Sequence, residues 1–116
     1  HAEGYAAGEL KHGPIALIDE NMVNIAIVGP ELHDKTISNI EEIKARKGII
    51  VSIGADGDKT LERVSDFIIP LNFESFEEVT PVYINVVNQL LAYYMAKFMG
   101  TDIDKPRNLA KSVTVE

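Results

Sequence analysis

The chain has 116 residues, of which 46% are hydrophobic and 25% charged, with a formal net charge of −7 and no cysteine. This length gives room for one small domain. The acidic balance makes nucleic acid and anionic membrane surfaces poor partners, although a small anionic ligand stays possible. Without cysteine there are no disulfides, no thiolate metal sites and no cysteine nucleophile, which fits a cytoplasmic protein. No stretch approaches the roughly 20 apolar residues of a membrane span.

The first 18 residues form a segment rich in glycine and alanine. Small side chains permit a helix to pack closely against another element, although glycine makes an isolated helix weak. His12 is followed by Gly13 and Pro14, which are typical of the end of a helix. The chain opens in the middle of this pattern and without Met, so we expect it to be cut from a longer chain.

Three short apolar runs follow, at residues 22–28, 48–53 and 67–69, and each is followed by glycine or proline. The runs are rich in β-branched residues and nearly continuous in hydrophobicity. Strands that are buried on both faces of a parallel sheet have this pattern. We therefore predict three parallel strands.

Helical patterns lie between these runs. Residues 34–47 carry a stripe of three isoleucines, with Asp34 as a candidate N-cap and Gly48 at the end. Residues 58–64 predict a second, shorter helix. Alternating strands and helices indicate an α/β fold with right-handed crossovers and a parallel sheet.

A long apolar helix is predicted over residues 82–98 and ends at Gly100. Ser75 and Glu78 have the spacing of a capping box, and Pro81 either lies in the first turn or kinks the helix. Apolar residues cover most of its circumference, so the helix needs burial on several sides. Three strands are also fewer than the usual five or six. The chain therefore has the pattern of half a domain, and we expect it to self-associate.

Four features are candidates for chemistry. His12 lies at a helix C-terminus, which favours a protonated imidazole, but the residues alone favour a surface histidine near a helix end. Arg107 and Lys111 could bind a phosphate or sugar oxygen, but chain ends are usually solvated. The acidic loop at residues 54–58 is predicted to be a turn and helix cap, and His33 an exposed structural residue. The spacing of histidines and carboxylates predicts no metal site.

Four segments of the chain fit the pattern of a known family: residues 2–19, 89–93, 100–102 and 104–116, which include Lys11-His12-Gly13-Pro14 and Leu109-Ala110-Lys111-Ser112. They resemble the second sugar-isomerase (SIS) domain of the glucosamine-6-phosphate synthases. This family is also called glutamine–fructose-6-phosphate aminotransferase (isomerising). The resemblance runs through the chain with few or no gaps, and it implies a three-layer α/β/α, flavodoxin-like parallel sheet. Residues 1–116 would be the C-terminal half of that domain, with an irregular tail at residues 101–116.

The family makes glucosamine 6-phosphate from fructose 6-phosphate and glutamine-derived ammonia. By resemblance, His12 assists opening of the sugar ring in the active site of a neighbouring subunit. Lys111 would form an imine with the sugar carbonyl, and Ala110 would contact the sugar. The resemblance implies no cofactor and no metal. The implied partners are a phosphosugar substrate, the upstream half of the same SIS domain and further copies of the chain.

Two other functions are compatible with a fold of this kind, because a fold does not fix a function. One is a non-catalytic module that binds phosphosugars, and the other is a different SIS phosphosugar isomerase or deglycase. The lysine of the tail and the ending at residues 111–116 favour the synthase. The family's phosphate-binding loop, its proton-transferring glutamate and its glutaminase domain have no counterpart here, so we expect the chain alone to be inactive.

Overall fold

The computed structural model describes residues 1–73 and 77–105. The chain divides into two compact units, His1–Glu77 and Glu78–Glu116. The first unit opens with two 3-10 helices and continues as strand, helix, strand, helix, strand. Its elements are the first 3-10 helix Ala7–His12, the second 3-10 helix Pro14–Leu17, β1 Val23–Ile27, α1 His33–Lys44, β2 Ile49–Ala55, α2 Lys59–Val64 and β3 Phe67–Leu71.

The three strands form an open sheet in the order β1-β2-β3. Both neighbouring pairs are parallel, and Ile25, Val51 and Phe67 share one row across the sheet. Each strand is joined to the next through a helix, as the alternating pattern predicts. The expectation of a parallel α/β sheet is confirmed.

One face of the sheet carries the hydrophobic core. Ile50 of β2 is fully buried beneath the isoleucine stripe of α1 and the apolar side of α2. Two isoleucines of the segment before β1 complete the same cluster. Burial of each such side chain contributes about 1.5–3 kcal/mol, which is what holds both helices on this face. Besides Ile50, the buried residues of the cluster are Ile15, Ile18, Val28, Ile37, Ile40, Ile43, Leu61 and Val64.

The opposite face of the sheet is apolar but open along β1. Val23, Ile25 and Ile27 are 57%, 48% and 45% exposed, and Phe67 of β3 is 65% exposed. Alternate residues of a strand point to opposite faces, so these side chains lie away from α1 and α2. The expectation that every strand is buried on both faces is therefore wrong for β1 in this chain.

The ends of α1 differ from their prediction. The helix begins at His33 after Leu32, which has a left-handed backbone with φ 56°. Asp34 thus lies inside the first turn and is not the N-cap, although a carboxylate there still interacts favourably with the helix dipole. The helix ends at Lys44, and Lys47, with φ 66°, turns the chain toward β2.

Two further elements differ from their prediction in helix type or in length. The segment before β1 forms short 3-10 helices in place of an α-helix, because its glycines weaken regular helix and Gly13-Pro14 interrupts it. Strand β3 continues through Pro70 to Leu71 instead of ending at the proline. Pro70 is tolerated because β3 is an edge strand with one unpaired side.

The second unit contains the long helix α3, Thr80–Met99. Pro81 lies in its first turn, and Gly100 ends it in a left-handed conformation with φ 68°. Both agree with the predicted boundaries; the predicted capping residue Ser75 lies outside the described residues. None of the residues of α3 is buried, and Phe98 is 89% exposed. Within the described ranges, no helix is long and apolar enough to cross a membrane.

Candidate functional site

His12 is the last residue of the first 3-10 helix. On one side of it, Leu10 is partly buried against the core cluster, and on the other side Ile15 is buried within that cluster. The turn between them is closed by a hydrogen bond from the Ala16 amide to the Gly13 carbonyl oxygen at 3.0 Å. Two apolar anchors therefore hold a short polar turn that carries His12 at the surface.

The surroundings of His12 are open. Its side chain is exposed and has no hydrogen bond or ion pair with any residue in the described part of the chain. A Cβ atom added at Gly8 or Gly13 would meet nothing within 4 Å, so the chain's own packing does not require glycine for space at these two positions. The imidazole is thus free to meet a group that comes from outside this unit.

The other predicted site residues belong to the C-terminal tail at residues 101–116. Lys111, Ala110 and Arg107 lie outside the described residues. Over residues 1–73 and 77–105, the structure brings no second predicted catalytic residue to His12. The roles of His12, Lys111 and Ala110 therefore stay predictions.

A second polar cluster lies where β1 and β2 end. His33, at the start of α1, places Nδ1 2.9 Å from Asp34 Oδ1 and Nε2 2.7 Å from Asp58 Oδ2. Asp58 precedes α2, and its Oδ1 accepts hydrogen bonds from the Thr60 and Leu61 amides at 2.9 and 3.0 Å. Asp58 is therefore the N-cap of α2, which confirms the predicted role of the loop at residues 54–58. We call His33, Asp34 and Asp58 the His33 cluster.

Contacts within the His33 cluster raise the pKa of His33 and lower the pKa of Asp58. Hydrogen bonds to Asp34 and then to Asp58 raise the pKa of His33 against the opposing effect of its partial burial. Partial burial alone would raise the pKa of Asp58, but the Leu61 amide, the His33 hydrogen bond and the His33 charge together lower it. The Asp58 side chain is only 15% exposed whereas that of Asp34 is fully exposed, so water screens the Asp58 contact less.

Sequence analysis missed this cluster and assigned His33 to the exposed surface. The structure shows that the side chain is 28% exposed and that each ring nitrogen lies within hydrogen-bonding distance of a carboxylate oxygen. The available signal was topological: His33 follows β1 and Asp58 follows β2, and the carboxyl ends of neighbouring parallel strands lie at one edge. In the part of the chain that the structure describes, no group of three or more His, Asp or Glu side chains could hold a metal ion.

The architecture is that of an α/β protein with an open parallel sheet. A sequence model of the SIS domain family matches residues 1–99. The chain belongs to the SIS domain family. This confirms the expected fold class, and it leaves residues 100–116 outside the part that SIS domains share.

Curated relatives align with the whole chain. It is 49% identical over 118 residues to the glutamine–fructose-6-phosphate aminotransferase (isomerising) of Aquifex aeolicus. This alignment covers all of the chain and 20% of the Aquifex protein. It is 54% identical over 121 residues to the enzyme of the same name from Rhizobium meliloti, of which it covers 19%. The chain therefore spans about a fifth of the length of these relatives.

A solved structure is also similar. The C-terminal domain of glucosamine-fructose-6-phosphate aminotransferase from Francisella tularensis superimposes with a TM-score of 0.76 and 38% identity. The match covers 90% of this chain and 30% of that one. The resemblance to the aminotransferases is thus present both in sequence and in fold.

Proposed function

We propose that the chain is the C-terminal part of the isomerase domain of a glutamine–fructose-6-phosphate aminotransferase (isomerising). The parent enzyme converts fructose 6-phosphate and glutamine to glucosamine 6-phosphate and glutamate, in the cytoplasm and as a homo-oligomer. The observation that carries this proposal is that the aminotransferases align with all of the chain, whereas the SIS family model ends at residue 99. Residues 100–116 are thus common to these enzymes and lie beyond the general SIS match.

In this proposal His12 and Lys111 act on the sugar. Ring opening moves a proton from the anomeric hydroxyl to the ring oxygen as the C–O bond breaks, and an exposed imidazole can relay that proton. The unprotonated amine of Lys111 then attacks the carbonyl carbon, and loss of water gives an imine. Ala110 contacts the sugar beside it. The open surroundings of His12 support a role in a site that another subunit completes.

The sheet supports a second part of the proposal, that the upstream half of the same SIS domain packs on this chain. Parallel sheets are normally covered on both faces, but Val23, Ile25 and Ile27 are exposed on the face away from α1. β1 is also an edge of the described sheet. Its side chains and backbone both lack the partners that a complete domain would supply.

The direction of the chain indicates which edge receives the upstream strands. The segment before β1 packs on the same face as α1 and α2, since Ile15 and Ile18 belong to their core. Crossovers between parallel strands are right-handed, so connections on one face advance across the sheet in one direction. A preceding parallel strand would therefore lie on the free side of β1. β3 is the edge left open by this arrangement.

The proposal is tested by complementation. The chain and the separately produced upstream half of a relative are assayed alone and together for conversion of fructose 6-phosphate to glucose 6-phosphate. We expect activity in the mixture only, and its loss or a decrease of at least about 100-fold in His12→Ala or Lys111→Ala, as for other residues in proton transfer or covalent catalysis.

An inactive mixture of halves that demonstrably associate would favour the alternative, a non-catalytic SIS module that binds phosphosugars. Full activity of both alanine variants would contradict the assigned roles but not the pairing of the halves. Association is therefore measured separately, by sedimentation of the mixture.

A further inference from the structure

The His33 cluster joins two turns at the carboxyl edge of the sheet. His33 is the first residue of α1, and Asp58 is the N-cap of α2. The two residues are 25 positions apart in the chain, yet Nε2 of His33 lies 2.7 Å from Oδ2 of Asp58. In an open α/β sheet this is the edge where ligands gather. A side chain that holds both turns there controls the geometry of that edge.

With both carboxylates ionised, the geometry of the cluster fits only the protonated imidazole. Each ring nitrogen of His33 faces a carboxylate oxygen, at 2.9 Å and 2.7 Å. A carboxylate accepts hydrogen bonds and donates none, whereas a neutral imidazole has one donor nitrogen and one acceptor nitrogen. In the neutral form, one nitrogen lone pair would face a carboxylate lone pair. Both contacts therefore need the cation, which carries two N–H groups.

Among the described residues, Asp34 and Asp58 are the charged side chains that contact His33. A positive charge at the first residue of a helix is disfavoured by the helix dipole, so the carboxylates of Asp34 and Asp58 must offset that effect. β2, which contacts α1, has no titratable residue. Among described residues, the remaining charges on the first 3-10 helix and on α2 make no hydrogen bond or ion pair with His33. They are Glu9, Lys11, His12, Lys59, Glu62 and Arg63, of which Lys59 pairs with Glu62 and Arg63 with Glu41.

We propose that His33 is a pH-dependent clasp: its imidazolium ties the start of α1 to the start of α2, and loss of its proton releases Asp34 and weakens the tie to Asp58 from an ion pair to a hydrogen bond of an uncharged ring, which loosens the turn after β1. Asp34 is the carboxylate that leaves, because its side chain is fully exposed and water replaces the lost contact. Asp58 stays, because a neutral ring with its proton on Nε2 still donates to it. The freed turn contains Leu32, whose left-handed backbone is costly for a residue other than glycine.

The direction of the pH dependence follows from the two groups. The folded chain raises the pKa of His33, so the stabilising effect of its charge is complete below about 6.5, the ordinary value, and is lost as the pH rises through the folded value. The pKa of Asp58 is lowered, so its contribution is lost only as the pH falls through that lowered value. The clasp is therefore tight in mildly acidic solution and loosens toward alkaline pH.

The test is an NMR titration of the histidine ring C–H signals in the 116-residue chain. The signal that disappears in His33→Gln identifies His33 among the three histidines. We expect its midpoint above about 6.5, with a lower midpoint in both Asp34→Asn and Asp58→Asn. Asparagine at position 58 preserves the N-cap of α2, so this variant changes the charge without removing the cap. Glu41→Gln is the matched control, because it removes another ion pair between α1 and α2, from Arg63 to Glu41, and leaves His33 untouched.

Amide hydrogen exchange over residues 33–37 gives a second measurement. Once the intrinsic effect of pH is subtracted, exchange in the native chain should rise as His33 loses its proton, whereas His33→Gln should show no such step. A His33 midpoint at or below the ordinary value, or one that both asparagine variants leave unchanged, would overturn the proposal. An equal exchange step in His33→Gln would also overturn it.

Discussion

At Gly48 the surrounding side chains leave room for a hydrogen atom but not for a methyl group. A Cβ atom there would lie 2.7 Å from Cγ2 of Ile18, 2.8 Å from Cγ2 of Ile43 and 2.9 Å from Nδ2 of Asn24. Because Gly48 is buried between the end of α1 and the start of β2, these neighbours have little room to move. We expect Gly48→Ala to lower the free energy of unfolding by about 1–3 kcal/mol, measured by urea denaturation.

Gly8→Ala is the control for this prediction. The same atom added at Gly8 meets nothing within 4 Å, so the free energy of unfolding should be unchanged or slightly higher. Equal effects of the two substitutions would show that the contacts at Gly48 do not set its cost.

Asp58 serves two functions that substitution can separate. Its Oδ1 caps α2, and its Oδ2 contacts His33. Asp58→Ala should lower the free energy of unfolding by about 1 kcal/mol through loss of the cap, and by more at pH 6 because the ion pair is lost as well. Asp58→Asn should lower it less, because asparagine also caps helices. Thermal unfolding at pH 6 and pH 8 checks both, and an asparagine variant as unstable as the alanine variant would contradict the capping role.

At the scale of elements, the turn between α1 and β2 contains a conformation that its sequence does not favour. Lys47 has φ 66°, and its amide donates to the Lys44 carbonyl oxygen at 2.9 Å. A left-handed backbone costs a residue with a Cβ atom roughly 1–2 kcal/mol, and glycine avoids this cost. Part of the resulting gain in stability is lost because glycine has more conformational freedom in the unfolded chain. We therefore expect Lys47→Gly to raise the free energy of unfolding by about 0.5–1 kcal/mol.

Lys47→Ala separates the backbone from the charge in the same denaturation experiment. Alanine removes the ammonium group but retains the Cβ atom, so it should bring no gain. A gain in both variants would instead indicate that the charge of Lys47, and not its backbone, is unfavourable at this helix end.

At the scale of the whole molecule, the open face of β1 is the surface that the upstream half is proposed to cover. Ile25 lies at the middle of β1 and is 48% exposed. Ile25→Thr retains a β-branched side chain suited to a strand but places a hydroxyl on this face. We expect the variant chain to fold normally and to bind the upstream half at least about 10-fold more weakly in sedimentation or calorimetry.

The matched control is Lys35→Gln on α1, a polar substitution at an exposed residue on a different element. It should leave the affinity for the upstream half unchanged. If Ile25→Thr binds as tightly as the native chain, the exposed face of β1 is not part of the interface.

The fold class could be predicted because its determinants are local. The apolar runs that became β1, β2 and β3 are short, β-branched and nearly continuous, and the isoleucine stripe of α1 has the period of a helix that buries one side. Asp58 was identifiable as a cap because an N-cap bonds to amides only two and three residues ahead. The ends of α1 were not, since Leu32 and Lys47 adopt left-handed backbones that neither side chain favours.

The sequence by itself determined the parallel α/β class, the order of the elements and the resemblance that identifies the family, because all three depend on residue types and their spacing along the chain. Tertiary structure alone decided that His33 meets Asp58 across 25 positions and that one face of β1 stays open. A contact between distant residues depends on how the sheet brings two turns to one edge. The burial of a strand face depends on what lies against it, which the sequence of that strand does not contain.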